Sequence, residues 1–171
     1  MKTVKVIVTI LVILSVLFLG TGLVIKENTY SSEITINKPL SETFKLFNNQ
    51  EALSQWIPEI QKVEAIEEKP GVTGSEYRIT VDNNGDLITM REKVLAYVED
   101  EKVTLYFDQE SVLKTNDYTF TSEGESTKIH LDVSFQAESY LLSCMFPYFK
   151  GSFKSVDDIN LNSFKSYVEK Q

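Results

Sequence analysis

The sequence predicts an α+β protein in which a curved antiparallel sheet of about seven strands wraps a long C-terminal helix, behind one N-terminal transmembrane helix. Three observations predict it: an uncharged run near the N-terminus, alternating segments separated by turns between residues 60 and 137, and an aromatic stripe after residue 145. Alternation with a period of two is typical of half-buried strands, whereas recurrence at three and four is typical of one helix face.

The uncharged run Val6–Ile25 has the roughly 20 residues that cross a hydrocarbon core. A cleaved signal peptide is the alternative, but its apolar region usually spans only about 7–15 residues. Two lysines precede the run, whereas Lys26 is followed at once by Glu27, so the positive-inside rule keeps the N-terminus in the cytoplasm. We therefore expect residues 1–26 to be a single-pass anchor and residues 27–171 to form one domain on the outer, periplasmic or extracytoplasmic, side.

The charge balance excludes one class of partner. The chain has a formal charge of −8, and because Lys2, Lys5 and Lys26 precede the domain, residues 27–171 carry −11. Such a surface opposes nucleic acid, whose binding requires Lys and Arg against phosphates. With one His, one Cys and no ligand pair at metal spacing, we expect no metal site and no cofactor.

The domain begins with a strand, two short helices and a second strand, within ITINKPLSETFKLFNNQEALSQWIPEIQKVEAI at Ile34–Ile66. Pro39 ends the first strand, expected over 30–37, because it has no N–H for a ladder. The second helix must stop at Pro58. The apolar stripe of the first helix is Leu40, Phe44 and Phe47.

The next part of the chain is predicted to contain about six strands, and four turn-rich stretches lie among them: Lys69–Gly74, Asn83–Asp86, Glu99–Glu101 and Ser122–Glu125. In the last strand the odd residues from Ile129 to Ala137 are apolar and the even ones polar, so the odd face is predicted to be buried. The same alternation predicts these other inward residues: Tyr77, Ile79, Val81, Ile88, Met90, Val94, Ala96, Val103, Leu105, Phe107, Tyr118 and Phe120.

A long helix from Phe146 to Lys170 is predicted to cover the sheet. Its stripe is Phe146, Phe149, Phe153, Val156, Asn160, Phe164 and Tyr167. Proline is tolerated in a first helical turn, so Pro147 places the helix start near Phe146 and makes 140–145 a separate turn.

This order of elements, with Trp56-Ile57-Pro58 closing the helix pair, resembles the START-like superfamily (SRPBCC), which includes the polyketide cyclase/dehydrase and lipid-transport family. The ending Asn162–Glu169 is similar to the terminal leucine-lysine-rich helix of that superfamily, with Phe164 in place of the usual Leu. The resemblance spans roughly residues 30–170. It implies a helix-grip fold whose sheet and long helix enclose a pocket for apolar molecules.

Two residues that often carry chemistry are interpreted as structural. His130 is the only histidine, but it lies on the polar parity of its strand, which predicts a solvated side chain rather than a general base. Cys144 stands among apolar residues with no His nearby in sequence, so we interpret it as a small buried hydrophobe rather than a nucleophile. No catalytic set is assigned.

Glu92 is the most informative polar residue, because it shares the parity of Met90 and Val94. A carboxylate on the inner face is costly unless it is paired, and such groups cluster at functional sites. A bulge at Lys93 is the alternative, since a one-residue slip would turn Glu92 into water. Asn116 and Lys114 have the parity of Tyr118 and are the other polar candidates for the inner face.

The aromatic residues of the inner face either line a ligand cavity or form ordinary core. The candidate ligand-binding residues are Trp56, Tyr77, Met90, Glu92, Phe107, Asn116, Tyr118, Phe135, Phe149 and Phe153.

The first functional hypothesis is membrane-tethered binding of a lipid or other hydrophobic small molecule. A second is a cyclase or aromatase-like enzyme that uses a pocket carboxylate, which the resemblance implies for some relatives. A third is a protein-interaction domain whose pocket is filled by Phe107, Phe149 and Phe153.

Overall fold

The computed structural model describes residues 2–171, which form an N-terminal helix followed by an α+β domain with one antiparallel sheet. The seven strands lie in the order β1-β7-β6-β5-β4-β3-β2. The helices are α1 (Lys2–Val24), α2 (Leu40–Phe47), α3 (Leu53–Trp56) and α4 (Tyr140–Val168). The strands are β1 (Asn28–Ile36), β2 (Ile60–Glu67), β3 (Glu76–Asn83), β4 (Asp86–Val98), β5 (Lys102–Gln109), β6 (Val112–Glu123) and β7 (Ser126–Ala137).

The predicted fold class is confirmed, down to the two short helices between β1 and β2. Every neighbouring pair of strands is antiparallel, and β1 closes one edge against β7, the last strand in sequence. The Asn83–Asp86 hairpin turns through Asn84 and Gly85, whose φ angles of 56° and 97° suit these residue types. In β7 the odd residues from Ile129 to Phe135 are buried, as the alternation predicts.

One strand departs from strict alternation. A register shift between Val94 and Ala96 inserts Leu95 as an extra residue in β4, so Tyr97 pairs with the buried Val103. The prediction that Ala96 faces inward is therefore wrong, because a bulge reverses the faces beyond it. Tyr97 takes the inward position, and its ring centroid lies 5.4 Å from that of Phe44.

The short helices bring aromatic side chains to the sheet and to the end of α4. Phe47 of α2 contacts Trp56 of α3, with ring centroids 6.0 Å apart, and Phe120 of β6 at 5.2 Å. Phe164 of α4 meets the same group, 4.9 Å from Trp56. All four side chains are buried, so two helices too short to be stable alone are held by this aromatic core.

The start of α4 differs from the prediction, because the helix is continuous from Tyr140 and contains Pro147. The separate turn expected over 140–145 is absent. Ser139 caps the helix by accepting a hydrogen bond from the Leu142 N–H at 3.3 Å. An internal proline costs about 3 kcal/mol in an isolated helix, and tertiary packing around α4 offsets that cost here.

The face of α4 that meets the sheet is also displaced from the predicted stripe. The buried residues after Phe146 are Asp157, Leu161, Phe164 and Val168. Phe149 and Val156, predicted to pack on the sheet, are 48% and 55% exposed. Asp157 is not part of the predicted stripe, and two partners stabilise its carboxylate inside the domain.

Helix α1 is long and apolar enough to cross a membrane. Its last turns pack against the first turns of α4, where a Cβ added to Gly22 would lie 2.6 Å from the Cys144 Sγ. The Thr21 hydroxyl donates to the Cys144 carbonyl at 3.0 Å, and the Tyr140 hydroxyl donates to the Leu19 carbonyl at 2.5 Å. Helix α1 is therefore in direct contact with the domain.

Candidate ligand-binding site

Five predicted inward residues lie side by side across the concave face of the sheet. The strand registers pair Tyr77 with Glu92, Glu92 with Phe107, Phe107 with Lys114, and Lys114 with Phe135. Because adjacent strands are about 4.8 Å apart, the three strand steps from Phe135 to Glu92 span about 14 Å. This row alternates aromatic and ionisable side chains, and its end at Phe135 and Lys114 contacts α4 at Phe153 and Asp157.

Glu92 is 3% exposed, so its carboxylate lies on the inner face. The bulge considered at Lys93 is absent. The bulge in β4 lies at Leu95, beyond Glu92, so the inward register of Glu92 is unchanged. Burial raises the pKa of Glu92 to about 7, while the side-chain amide of Gln50 opposes that shift by favouring the charged form. A carboxyl group with this pKa can exchange a proton near neutral pH or donate a hydrogen bond to a bound molecule.

Asn116 is 4% exposed and shares its strand face with Tyr118. Its Nδ2 donates a hydrogen bond to the Tyr118 hydroxyl at 3.0 Å. Burial is the main cause that raises the pKa of Tyr118, followed by the nearby charge of Asp157. Tyr118 therefore stays neutral and can take part only through hydrogen bonds.

Four buried polar atoms of the described residues have no hydrogen-bond partner: Gln50 Oε1, Trp56 Nε1, Glu92 Oε1 and Asn116 Oδ1. Three of the four belong to predicted site residues. A buried donor or acceptor without a partner costs about 1–3 kcal/mol, so most folded proteins keep few of them. These unpaired groups therefore mark the interior as a place where a further polar group would be stabilised.

The second buried carboxylate, that of Asp157, is hydrogen-bonded through both oxygens, whereas Glu92 has one oxygen without a partner. Asp157 of α4 is 5% exposed and accepts two hydrogen bonds from the Lys114 ammonium, at 2.7 and 2.8 Å. Its Oδ2 also accepts from the Tyr30 hydroxyl at 2.5 Å. Burial and this carboxylate together raise the pKa of Tyr30. The cluster ties β1 and β6 to α4.

The aromatic candidates divide between two groups. Trp56 and Tyr118 both contact Phe47, whereas Phe135 lies 4.6 Å from Phe153 by ring centroids. Met90 is half-buried on β4. Phe149 stands apart, on the exposed flank of α4, so the three aromatic residues expected to fill a closed pocket are not assembled in the interior.

Two clefts flank α4. An apolar cleft of about 250 Å³ is lined by Leu142, Met145, Phe146, Phe149, Ser152, Phe153 and Val156. It begins where Phe146 and Phe153 meet Phe135, the end of the row that leads to Glu92. A second, open cleft of about 600 Å³ lies by the C-terminal half of α4, and none of the candidate ligand-binding residues lines it.

The two residues interpreted as structural lie away from this interior. His130 is on the outer face, where its ring nitrogens lie 2.9 Å from Glu33 and 3.2 Å from Asp132. These carboxylates raise the pKa of His130, with the Glu33 hydrogen bond as the largest cause. Cys144 is fully buried beneath α1, and residues 2–171 contain no acidic, His or Cys cluster suited to a metal.

Sequence reasoning missed two parts of the site. Gln50 lies in a one-turn 3-10 helix between α2 and α3, and no periodicity marks so short an element. Asp157 was missed because the predicted helix stripe was built from apolar residues, and a carboxylate does not belong to such a pattern. Asp157 follows Phe153 by four residues and so lies on the same helix face as Phe153, which was the available signal.

A concave antiparallel sheet closed by a long helix, with unpaired polar groups inside an aromatic interior, defines a helix-grip protein with a candidate ligand-binding interior. The sequence profile of the family described as "Polyketide cyclase / dehydrase and lipid transport" matches residues 28–169, and the chain belongs to this family. No curated protein sequence matches the chain.

Solved structures share the fold at low identity. A START superfamily protein from Mycobacterium smegmatis superimposes with a TM-score of 0.70 and 15% identity, over 83% of this chain and 97% of that one. The Zhui aromatase/cyclase from Streptomyces sp. R1128 gives 0.66 and 15%, over 84% and 94%. Ara h 8.0201 gives 0.67 and 18%, over 85% and 99%.

Proposed function

We propose that this protein is held in a membrane by α1 and binds a lipid or other hydrophobic small molecule between its sheet and α4. The apolar part of the ligand would be stabilised by about 25 cal/mol per Å² of surface removed from water. The anchor keeps the binding domain at the bilayer, where such ligands are concentrated. The expected topology places the N-terminus in the cytoplasm and the domain outside.

The observation that carries the proposal is the set of unpaired polar atoms on Gln50, Trp56, Glu92 and Asn116. A polar group of a ligand that reached them would gain hydrogen bonds that the protein alone does not make. The surrounding aromatic side chains suit the apolar remainder of such a molecule. A ligand with a small polar head and an apolar body matches both features.

The position of the cleft supports a route to these groups. Its lining residues Phe146 and Phe153 pack directly on Phe135, with ring centroids 5.5 and 4.6 Å from that of Phe135, so these two rings separate the cleft from the interior. From Phe135 the inner row of the sheet leads to Glu92. We place the apolar chain of the ligand along this row and its head near Glu92 and Asn116.

Native mass spectrometry of the full chain, released from mild detergent after incubation with a membrane lipid extract, tests the proposal. We expect a ligand of defined mass that stays bound at energies that strip detergent and loosely held lipid from α1. Asn116→Leu removes a polar partner of the ligand, so we expect about tenfold weaker binding. Asn83→Leu, the same change at the exposed end of β3, serves as the matched control.

A wild-type chain that carries no defined adduct would contradict the proposal. Equal ligand retention by the wild type and Asn116→Leu would remove Asn116 from the site.

The raised pKa of Glu92 favours a second candidate function, a cyclase or aromatase-like reaction with this carboxyl group as acid or base. The test is to incubate the extracted molecule with fresh wild-type chain and with Glu92→Gln, and to compare its mass and absorbance over time. Conversion by the wild type that Glu92→Gln abolishes would support an enzyme. An unchanged molecule in both samples supports a binding protein.

A further inference from the structure

The first half of α4 carries an exposed apolar flank beside α1. Its residues are Leu142, Met145, Phe149 and Val156, which follow one another at helical spacing and line the 250 Å³ cleft. Phe149 and Val156 are about half exposed. A contiguous exposed patch of this kind marks an interaction site more often than chance exposure.

The position of this flank is set by α1. The turns of α4 that hold Tyr140, Cys144 and Tyr148 contact α1 at Leu19, Gly22 and Phe18. Leu19 precedes Ile25, the end of the uncharged run, by six residues, which is about 9 Å of helix. If α1 crosses a bilayer, the first turns of α4 therefore lie at the depth of the headgroups and upper acyl chains.

The charges of the segment agree with that depth. The domain carries −11, yet from Ser139 to Val156 there is no Asp or Glu, and the only charged residues are Lys150 and Lys154. Acidic groups are thus excluded from the part of α4 closest to the anchor. Lys154 is paired with Asp158 and Ser32 within the domain, whereas Lys150 is exposed and can extend its amine toward water beside the headgroups.

The exposed tyrosines point to the same partner. Tyr140 and Tyr148 are 45% and 64% exposed on the turns that contact α1. Tyrosine is enriched at membrane–water interfaces, because its ring suits apolar chains and its hydroxyl suits a polar partner, which for Tyr140 is the Leu19 carbonyl. By contrast, the buried face of the second half of α4, including Leu161 and Phe164, packs inside the domain.

We infer that the apolar flank of α4 docks on the outer leaflet of the same bilayer that holds α1. The domain then does not hang freely from its anchor, and the 250 Å³ cleft opens at the membrane surface. A hydrophobic ligand would pass from the leaflet to the cleft without crossing bulk water. This docking rests on the proposed membrane anchorage and does not depend on the identity of the ligand.

Tryptophan quenching by lipids brominated along the acyl chain tests the docking in the full chain, reconstituted in phosphatidylcholine vesicles. Leu11→Trp reports insertion of α1, Phe149→Trp reports the α4 flank, and Val98→Trp reports the β4–β5 end of the sheet. Val98 is 45% exposed and so matches Phe149 in exposure. The wild type, with Trp56 alone, provides the baseline.

We expect brominated lipid to cause a loss of fluorescence in Leu11→Trp and Phe149→Trp beyond the baseline, and no extra loss in Val98→Trp. Quenching of Leu11→Trp with none of Phe149→Trp would overturn the docking and leave the anchor intact. No quenching of Leu11→Trp would overturn the anchor and with it the docking.

Discussion

Asp157 and Glu92 are both carboxylates inside the same domain, but their surroundings differ. Asp157 receives hydrogen bonds from the Lys114 ammonium and the Tyr30 hydroxyl. Glu92 has one oxygen without any partner, and burial raises its pKa to about 7. A buried carboxylate whose two oxygens are both hydrogen-bonded connects the elements that carry its partners. A buried carboxyl group with an unpaired oxygen lowers the stability of the fold, and such a group is a candidate for binding or chemistry.

The largest expected effect comes from breaking the paired site. Lys114→Met leaves the Asp157 carboxylate buried without its counter-ion, and removing one partner of a buried pair costs roughly 3–5 kcal/mol of unfolding free energy. Denaturant unfolding of the full chain in detergent, followed by circular dichroism, measures this change. Lys102→Met on the neighbouring strand breaks a half-exposed pair with Asp117 and should cost below about 1 kcal/mol.

The double variant Lys114→Met with Asp157→Leu removes the whole pair and should recover most of the lost stability, because no unpaired charge remains. A double variant as unstable as Lys114→Met would show that the effect comes from packing and not from charge.

The next effect concerns the unpaired site and depends on pH. Glu92 has a folded pKa of about 7, above its ordinary value of 4.5, so its contribution to stability is full below about pH 4.5 and is lost as pH rises through 7. Glu92→Gln keeps the neutral shape and should remove this decline. The difference from wild type grows to about 3 kcal/mol above pH 7, since each pKa unit is worth 1.36 kcal/mol. Thermal unfolding between pH 4.5 and 8 measures it.

Glu76→Gln on the adjacent strand should behave in the opposite way. The Lys93 hydrogen bond lowers the pKa of Glu76. The contribution of Glu76 to the stability of the fold is therefore present at neutral pH and is lost only as pH falls below the usual range for Glu. If Glu92→Gln and wild type lose stability in parallel from pH 4.5 to 8, Glu92 is not protonated in the folded domain at neutral pH.

The smallest effect sharpens the description of the paired site. Tyr30→Phe removes one hydrogen bond to the Asp157 carboxylate, and such bonds contribute about 2 kcal/mol. Tyr97→Phe is the matched change at a half-buried tyrosine of the same core. Equal unfolding free energies for the two variants would show that the Tyr30 hydroxyl contributes nothing beyond its ring.

The sheet could be predicted from sequence because its signals are local. Alternation in β4 and β6 made Glu92 and Asn116 candidates for the inner face, with a bulge as the alternative for Glu92, and both side chains are buried. The α4 predictions failed where local rules compete with tertiary contacts. Pro147 and Asp157 each oppose a buried helix when considered alone, and only the packing of α1, Lys114 and Tyr30 makes them acceptable.

The close contact between Gly22 and Cys144 has a consequence for handling the protein. A free thiol exposed to air is prone to intermolecular disulfides, and Cys144 has no internal partner because it is the only cysteine. Helix α1 covers its Sγ so closely that a side chain at position 22 would collide with it. A chain shortened to residues 27–171 would uncover this sulfur, and we expect it to form covalent dimers on storage that a reducing agent reverses.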